Sequence, residues 1–216
     1  MKFAEWGYST IIISIIFLLI LELINIFVFN NNKIIFIIVF LLAAEVLYFF
    51  RDPERSPDIN KDTIIISPAD GKVIEIMEGK DKIIGEYIKI GVFMNIFNVH
   101  VNRIPYDGEV IAKEYIKGKF LSAFNPKASL ENERNIIYIK TKYGNIKVVQ
   151  IAGLIARRII DTLKIGDNVY KGQRFGMIKF GSKVDIYLPK YKVKILVEID
   201  DKVYAGKTPI AEFKGE

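Results

Sequence analysis

Two apolar runs open the chain. Ile11 to Phe29 is broken only by Ser14, Glu22 and Asn25, and after Asn30-Asn31-Asn32-Lys33 a second run extends from Ile34 to Phe50 with Glu45 as its one charged residue. Helices of about 17 to 20 apolar residues approach the length needed to cross a hydrocarbon layer of roughly 30 Å. The pattern predicts a helical hairpin with both ends on one side of a membrane, spanning it or dipping into one leaflet. A cleaved signal peptide fits less well, because the first run is long, no small-residue cleavage site follows it, and a second run comes at once. Glu22 and Glu45, costly inside lipid, are expected to face the other helix, a partner subunit or the interface.

From Thr63 onward the period changes. Short alternating runs cover Ile64–Ser67, Lys72–Met77, Tyr87–Met94, Val99–Asn102, Glu109–Ile116, Ile136–Thr141, Ile146–Ile151, Arg174–Phe180 and Lys183–Leu188, separated by Gly, Pro, Asn and Asp. Alternation of this kind predicts half-buried strands. So many short ones, with no helical pattern of useful length, predict a mainly β fold: a compact barrel or sandwich-hybrid domain behind the helical hairpin. Arg51-Asp-Pro-Glu-Arg-Ser-Pro57 ends the second helix as a proline-punctuated linker. The division expected is a hairpin and linker over 1–55 and a β domain over 56–216.

Composition narrows the chemistry. The chain has no cysteine and one histidine, which excludes disulfides, thiolate metal sites and multi-histidine metal centres. No metal is expected, and a cofactor-free or self-made cofactor chemistry is favoured. The net charge is +6, and residues 1–50 contribute two lysines against three glutamates, so the basic excess lies in the β domain. A basic body suits nucleic acid, an anionic membrane surface or simple solubility. The apolar hairpin selects the membrane, and Arg51 and Arg55 directly after the second run place the domain on the cytoplasmic side.

Three residues make a candidate catalytic set. Gly181-Ser182 interrupts two strand-like runs near the C-terminus. A glycine can be held in backbone geometry closed to other residues, leaving its carbonyl open to attack by the next hydroxyl. That attack converts the amide to an ester; elimination, followed by hydrolytic loss of the nitrogen as ammonia, then leaves a chain that begins with a pyruvoyl group. His100 is the single histidine, in Asn98-Val-His-Val-Asn-Arg103, where alternation puts His100 and Asn102 on one face of a strand. Asp70, in Ser67-Pro-Ala-Asp-Gly71, is an ordinary turn aspartate on its own. Taken together, the carboxylate orients the imidazole, the imidazole takes the Ser182 proton, and the oxygen attacks the chain's own carbonyl. Cations available to an anionic ligand are Arg103, Arg157, Arg158 and Lys127.

Six segments, in order, carry a resemblance: Phe50-Arg-Asp-Pro53; Ser67–Gly71; Phe93-Met-Asn-Ile-Phe-Asn-Val-His-Val-Asn-Arg103; Gly118–Phe124 with Glu131–Asn135; Gly153-Leu-Ile-Ala-Arg-Arg-Ile159; and Phe175-Gly-Met-Ile-Lys-Phe-Gly-Ser-Lys-Val-Asp-Ile-Tyr-Leu-Pro189. Together they resemble the phosphatidylserine decarboxylases of the short prokaryotic branch. The resemblance implies self-cleavage between Gly181 and Ser182 into a large chain, 1–181, and a small chain, 182–216, that stay together. Ser182 becomes the pyruvoyl group, which forms an imine with the headgroup amine and accepts the electrons released with CO2. It also implies that Asp70 and His100 serve self-processing, and His100 proton transfer in decarboxylation. The substrate implied is a serine phospholipid, either phosphatidylserine or its archaeal ether-lipid counterpart, with Arg103, Asn102, Arg157 and Arg158 as candidate binding residues. Longer members carry a second histidine three positions earlier, where this chain has Phe97. A homodimer is left open, and no nucleic-acid partner is expected.

The rival reading is an uncut, membrane-anchored module that binds anionic lipid. Gly166-Asp-Asn-Val-Tyr-Lys-Gly-Gln173 resembles the turn and strand of biotinyl and lipoyl carrier barrels, although no convincing modifiable lysine stands at a hairpin tip. A membrane-anchored metallopeptidase, also of barrel type, lacks the histidines and cysteines its metal would need.

Overall fold

The computed structural model describes residues 2–58, 61–121, 128–153, 158–179 and 182–215. It forms two compact units, Met1–Glu54 and Arg55–Glu216.

In the first unit a 3-10 turn, Glu5–Gly7, leads into α1 (Tyr8–Val28), and α2 spans Lys33–Phe49. The asparagines between the apolar runs make the hairpin. Asn30 and Asn31 take left-handed backbone angles, φ 53° and 56°, which asparagine tolerates better than other side-chain-bearing residues. Asn25, fully buried, accepts the Asn32 N–H at 3.0 Å and donates to the Asn32 carbonyl at 3.2 Å and to Glu22 at 3.1 Å. The Asn32 side chain then caps α2 through the N–H of Ile34, 2.9 Å away. Glu22 is thus turned toward Asn25, and it lines a cavity of about 180 Å³ between α1 and α2. Glu5–Val28 is long and apolar enough to cross a membrane. Apart from Ser9 and Lys33 near the helix starts, the exposed side chains are apolar on both helices, with Phe27 83%, Ile34 68% and Phe40 62% exposed.

The second unit is mostly β. Among the described residues its strands are β1 (Ile64–Ile66), β2 (Gly71–Asp81), β3 (Gly85–Met94), β4 (Val101–Arg103), β5 (Gly108–Ile116), β6 (Arg134–Thr141), β7 (Gly144–Ala152), β8 (Arg158–Asp161), β9 (Asn168–Val169), β10 (Arg174–Lys179), β11 (Ser182–Pro189), β12 (Val193–Ile195), β13 (Lys202–Val203) and β14 (Pro209–Phe213), with a short α-helix, α3 (Ala128–Glu131), and a 3-10 turn, Lys190–Lys192. Eight strands, in the order β13-β2-β3-β11-β7-β6-β5-β9, form an antiparallel sheet curled into a half-barrel. Two three-stranded sheets, β4-β10-β8 and β1-β14-β12, complete the unit.

β11 lies in the middle of the large sheet, paired with β3 and β7. Its alternation decides which side chains face the core. Val184, Ile186 and Leu188 are fully buried with Val92 and Ile90 of β3 and Val148 and Ile146 of β7 in one apolar cluster. Burying each such side chain stabilises the fold by about 1.5–3 kcal/mol.

Lys183–Leu188 reads as a half-buried strand, yet Lys183 and Asp185 on its other face are 4% and 0% exposed. They are tolerated because they are paired. Lys183 Nζ lies 3.1 Å from Asp185, 2.5 Å from Glu75 and 3.0 Å from Ser129 Oγ, while Lys89 holds the other Glu75 oxygen at 2.9 Å. Burial pushes the Glu75 carboxyl up, but the hydrogen bonds and charges of Lys183 and Lys89 outweigh it and hold the group below its ordinary value of 4.5. A depressed carboxyl contributes stability above its unfolded value and loses it as pH falls. The melting temperature is therefore expected to drop more steeply below pH 4.5 in the wild type than in Glu75→Gln. The difference between the two curves is the quantity to measure, since burial raises the Asp185 carboxyl and gives that group the opposite slope.

Candidate active site

The chain changes sheets at the predicted cut. β10 ends at Lys179 in the small sheet, and β11 begins at Ser182 in the large one. Phe180 and Gly181, the residues between them, lie outside the described residues, as do Lys127 and Arg157. Ser182 is fully buried, in register with Met94 of β3 on one side and Ala152 of β7 on the other. Its hydroxyl is directed to the Met94 sulfur at 3.4 Å.

His100 reaches this end of the sheet through a turn built by asparagines. Asn95 Oδ1 accepts the Phe97 N–H at 2.9 Å, and Asn98 Oδ1 accepts the Asn95 N–H at 2.9 Å. β4 then pairs with β10, and the Ile178 N–H donates to the His100 carbonyl at 3.4 Å, so residues 100–103 lie beside the strand that leads to Ser182. The His100 ring is fully buried, with Nδ1 2.9 Å from the Asn98 carbonyl oxygen. A carbonyl can only accept, so Nδ1 carries the proton and Nε2 is the basic nitrogen. Phe97, three residues before His100, is 58% exposed on the turn.

Asp70 follows a turn closed by Ser67 Oγ, which donates to the Ala69 carbonyl at 2.7 Å. Gly71 comes next because β2 passes so close to β3 that a Cβ there would lie 2.0 Å from the Phe93 carbonyl oxygen. The Asp70 carboxylate is held by a two-pronged ion pair with Arg55 and by the Ala205 N–H at 2.8 Å; its Oδ2 also takes the N–H of Val99, the residue before His100, at 3.4 Å. The sequence reading uses Arg55 only as a topology signal. In the fold its side chain is 12% exposed against 3% for Asp70. Removing one partner of such a buried pair strands the other charge at a cost of about 3–5 kcal/mol. Arg55→Met is expected to lose stability of that order in urea unfolding.

Asn102 and Arg103 follow on β4, both buried. Arg103 donates to the Gly172 carbonyl at 3.1 Å, and its stem packs on Gly206, where a Cβ would approach it to 2.5 Å. The Asn102 Oδ1 accepts from Gln150 at 2.8 Å, and its Nδ2 lies 3.8 Å from the same Met94 sulfur that Ser182 contacts. Arg158 is exposed on β8, directly across from Lys179 of β10. Burial and the neighbouring Arg158 charge push the Lys179 ammonium below its ordinary value. Like charges directly opposite each other on neighbouring strands repel, and an anion placed between them would ease that repulsion. Beside the site, a cavity of about 320 Å³ is lined by Gly71, Lys72, Phe93, Asn98, Asp200 and Lys202, with Lys72 paired to Asp200 at 2.7 Å.

Missed by the sequence reading are Arg55 as the partner of Asp70, Lys179 beside Arg158, and Asn132. The last is fully buried; it binds both backbone groups of Leu121 at 2.8 and 2.9 Å and the carbonyl of Ala152, the neighbour of Ser182, at 2.7 Å. The signal available was a lone asparagine between charged residues in Glu131–Arg134, which spacing alone does not distinguish from a loop.

Residues 42–211 match the family model described as phosphatidylserine decarboxylase. The phosphatidylserine decarboxylase proenzyme of Nitrosomonas eutropha is 50% identical over 177 residues, 81% of each chain. That of Carboxydothermus hydrogenoformans is 50% identical over 182 residues, 83% of this chain and 84% of its own. The Rickettsia akari proenzyme, 44% identical over 204 residues, covers 92% of this chain and 87% of its own.

Proposed function

Since the chain belongs to the phosphatidylserine decarboxylase family, whose members are carboxy-lyases made as proenzymes, we propose that it cuts itself between Gly181 and Ser182 and then, as a membrane-held pyruvoyl enzyme, converts phosphatidylserine to phosphatidylethanolamine and CO2. The observation that carries this reading is the position of Ser182. It starts the central strand of the large sheet at the point where the chain leaves another sheet, buried, with the segment bearing His100 paired to the strand before it.

Ser182 would carry the pyruvoyl group, which supplies an electron sink for the loss of CO2. The surroundings fit a ketone that has to be kept from water: Met94 and Ala152 flank residue 182, and the Asn102 amide stands beside Met94. His100 takes the hydroxyl proton on Nε2. Asp70 is a positioning residue, but through the backbone and not by holding the imidazole as the sequence pattern predicts: clamped by Arg55, it takes the Val99 N–H, while the Asn98 carbonyl meets His100 Nδ1. The large chain, 1–181, and the small chain, 182–216, stay joined through the pairing of β11 with β3 and β7. Headgroup anions are met by Arg158 with Lys179, with Arg157 next in sequence, and by Lys202 in the adjoining cavity, where Lys72 is already paired with Asp200; Arg103, already engaged with Gly172, steadies the wall. The apolar exterior of α1 and α2 supports membrane attachment, and Arg51 and Arg55 favour the cytoplasmic face. The names of the relatives give no support to the ether-lipid alternative.

The test is the detergent-extracted full chain incubated with phosphatidylserine labelled in the serine carboxyl. Labelled CO2, an intact mass split at Gly181, and a small fragment reactive toward phenylhydrazine are expected. An uncut chain that binds anionic vesicles and releases no CO2 would instead establish the uncut lipid-binding module.

A further inference from the structure

A row of buried amides runs through the interior toward Ser182, and its ends fix its direction. At the far end Asp161 accepts Lys113 Nζ at 2.5 Å and Asn135 Nδ2 at 3.0 Å. Asn135 Nδ2 also donates to Gln150 Oε1 at 2.9 Å, and Gln150 Nε2 donates to Asn102 Oδ1 at 2.8 Å and toward the Ile160 carbonyl at 3.4 Å. Asp161 and the Ile160 carbonyl can only accept. Turning over any one amide would therefore set two donors or two acceptors face to face in a region where Asn102, Asn135 and Gln150 are 0–3% exposed. Gly176 keeps the space open: a Cβ there would meet Ile160 O at 2.1 Å and Gln150 Nε2 at 3.1 Å.

The near end is under-used. With Oδ1 of Asn102 engaged, its NH2 group is left against the Met94 sulfur at 3.8 Å, a weak acceptor, and Ser182 Oγ lies 3.4 Å from that same sulfur. We propose that Gln150 is a positioning residue. It turns the Asn102 amide so that a donor, and not a carbonyl, is presented to the side-chain position of residue 182, where it polarises the carbonyl carried there. The inference rests on the reading that Ser182 becomes a pyruvoyl group, and it assigns the donor and the residue that orients it.

The experiment measures the rate at which phenylhydrazine captures the cleaved protein, in wild type, Gln150→Met, Asn102→Ala and the double variant, with a thermal melt of each. Loss of one oriented hydrogen bond is expected to slow capture about tenfold, equivalent to about 1.4 kcal/mol, in both single variants, with no further loss in the double. Capture at the wild-type rate in Gln150→Met would overturn the proposal. So would a Gln150→Met loss that adds in full to that of Asn102→Ala, because it would then act on the fold and not through Asn102. Should Gln150→Met fail to fold or to cut, Asp161→Leu decides, since it removes the acceptor that sets the direction. A smaller slowing that vanishes in the Asn102→Ala background is expected, and an unchanged rate again overturns. A wild type that is itself uncut and inert to phenylhydrazine would instead remove the decarboxylase reading.

Discussion

A Ser182→Ala chain is expected to remain a single uncut polypeptide of 216 residues and to release no CO2 from phosphatidylserine. The substitution deletes one oxygen whose neighbour is a thioether, and a hydroxyl-to-sulfur contact at 3.4 Å contributes little to folding. The backbone pairing of residue 182 with Met94 and Ala152 needs no side chain. The variant should therefore melt within a few degrees of the uncut wild type, for which about 1 kcal/mol is the scale of a single lost hydrogen bond. Intact-mass measurement after prolonged incubation, alongside a melt, checks both halves. A cut Ser182→Ala chain would mean that another group attacks, and the pyruvoyl assignment would fail with it.

Much of the candidate site is legible in the sequence because its turns are local. The asparagines of Asn95–Asn98 and the Ser67–Gly71 turn fold by hydrogen bonds within a few residues, so the segments bearing Asp70 and His100 announce themselves. The strand alternation on either side of Gly181-Ser182 is visible for the same reason. What is hidden depends on pairing across long separations. Nothing near Arg55 indicates that it closes on Asp70, and nothing near Gln150 shows Asn102 48 residues away. β8, β9 and β12 to β14 run two to five residues each, too short for a period of two to rise above chance. Lys183 and Asp185 mislead for a different reason. Alternating charge normally means a wet face, and only the fold reveals that Glu75, Lys89 and Ser129 meet them there and take the place of water.

His100→Ala is expected to slow self-cleavage by about 10²–10⁴-fold, the range a positioned general base contributes, and so to leave mostly uncut chain with little decarboxylation. The geometry explains why one nitrogen matters. The Asn98 carbonyl claims the proton on Nδ1, so Nε2 keeps its lone pair, and neither tautomer nor ring orientation has to be found during the reaction. His100 is the single histidine of the chain, so no neighbouring imidazole takes over the duty. Added imidazole distinguishes lost chemistry from lost structure. The deleted ring leaves a buried space next to the Asn98 carbonyl, which can hold a free imidazole by the same hydrogen bond, and cleavage should recover in proportion to imidazole concentration. Recovery in His100→Ala but not in Ser182→Ala is the expected pair of results. A His100→Ala chain that cuts at the wild-type rate would take proton transfer away from this histidine and require another base for the Ser182 hydroxyl.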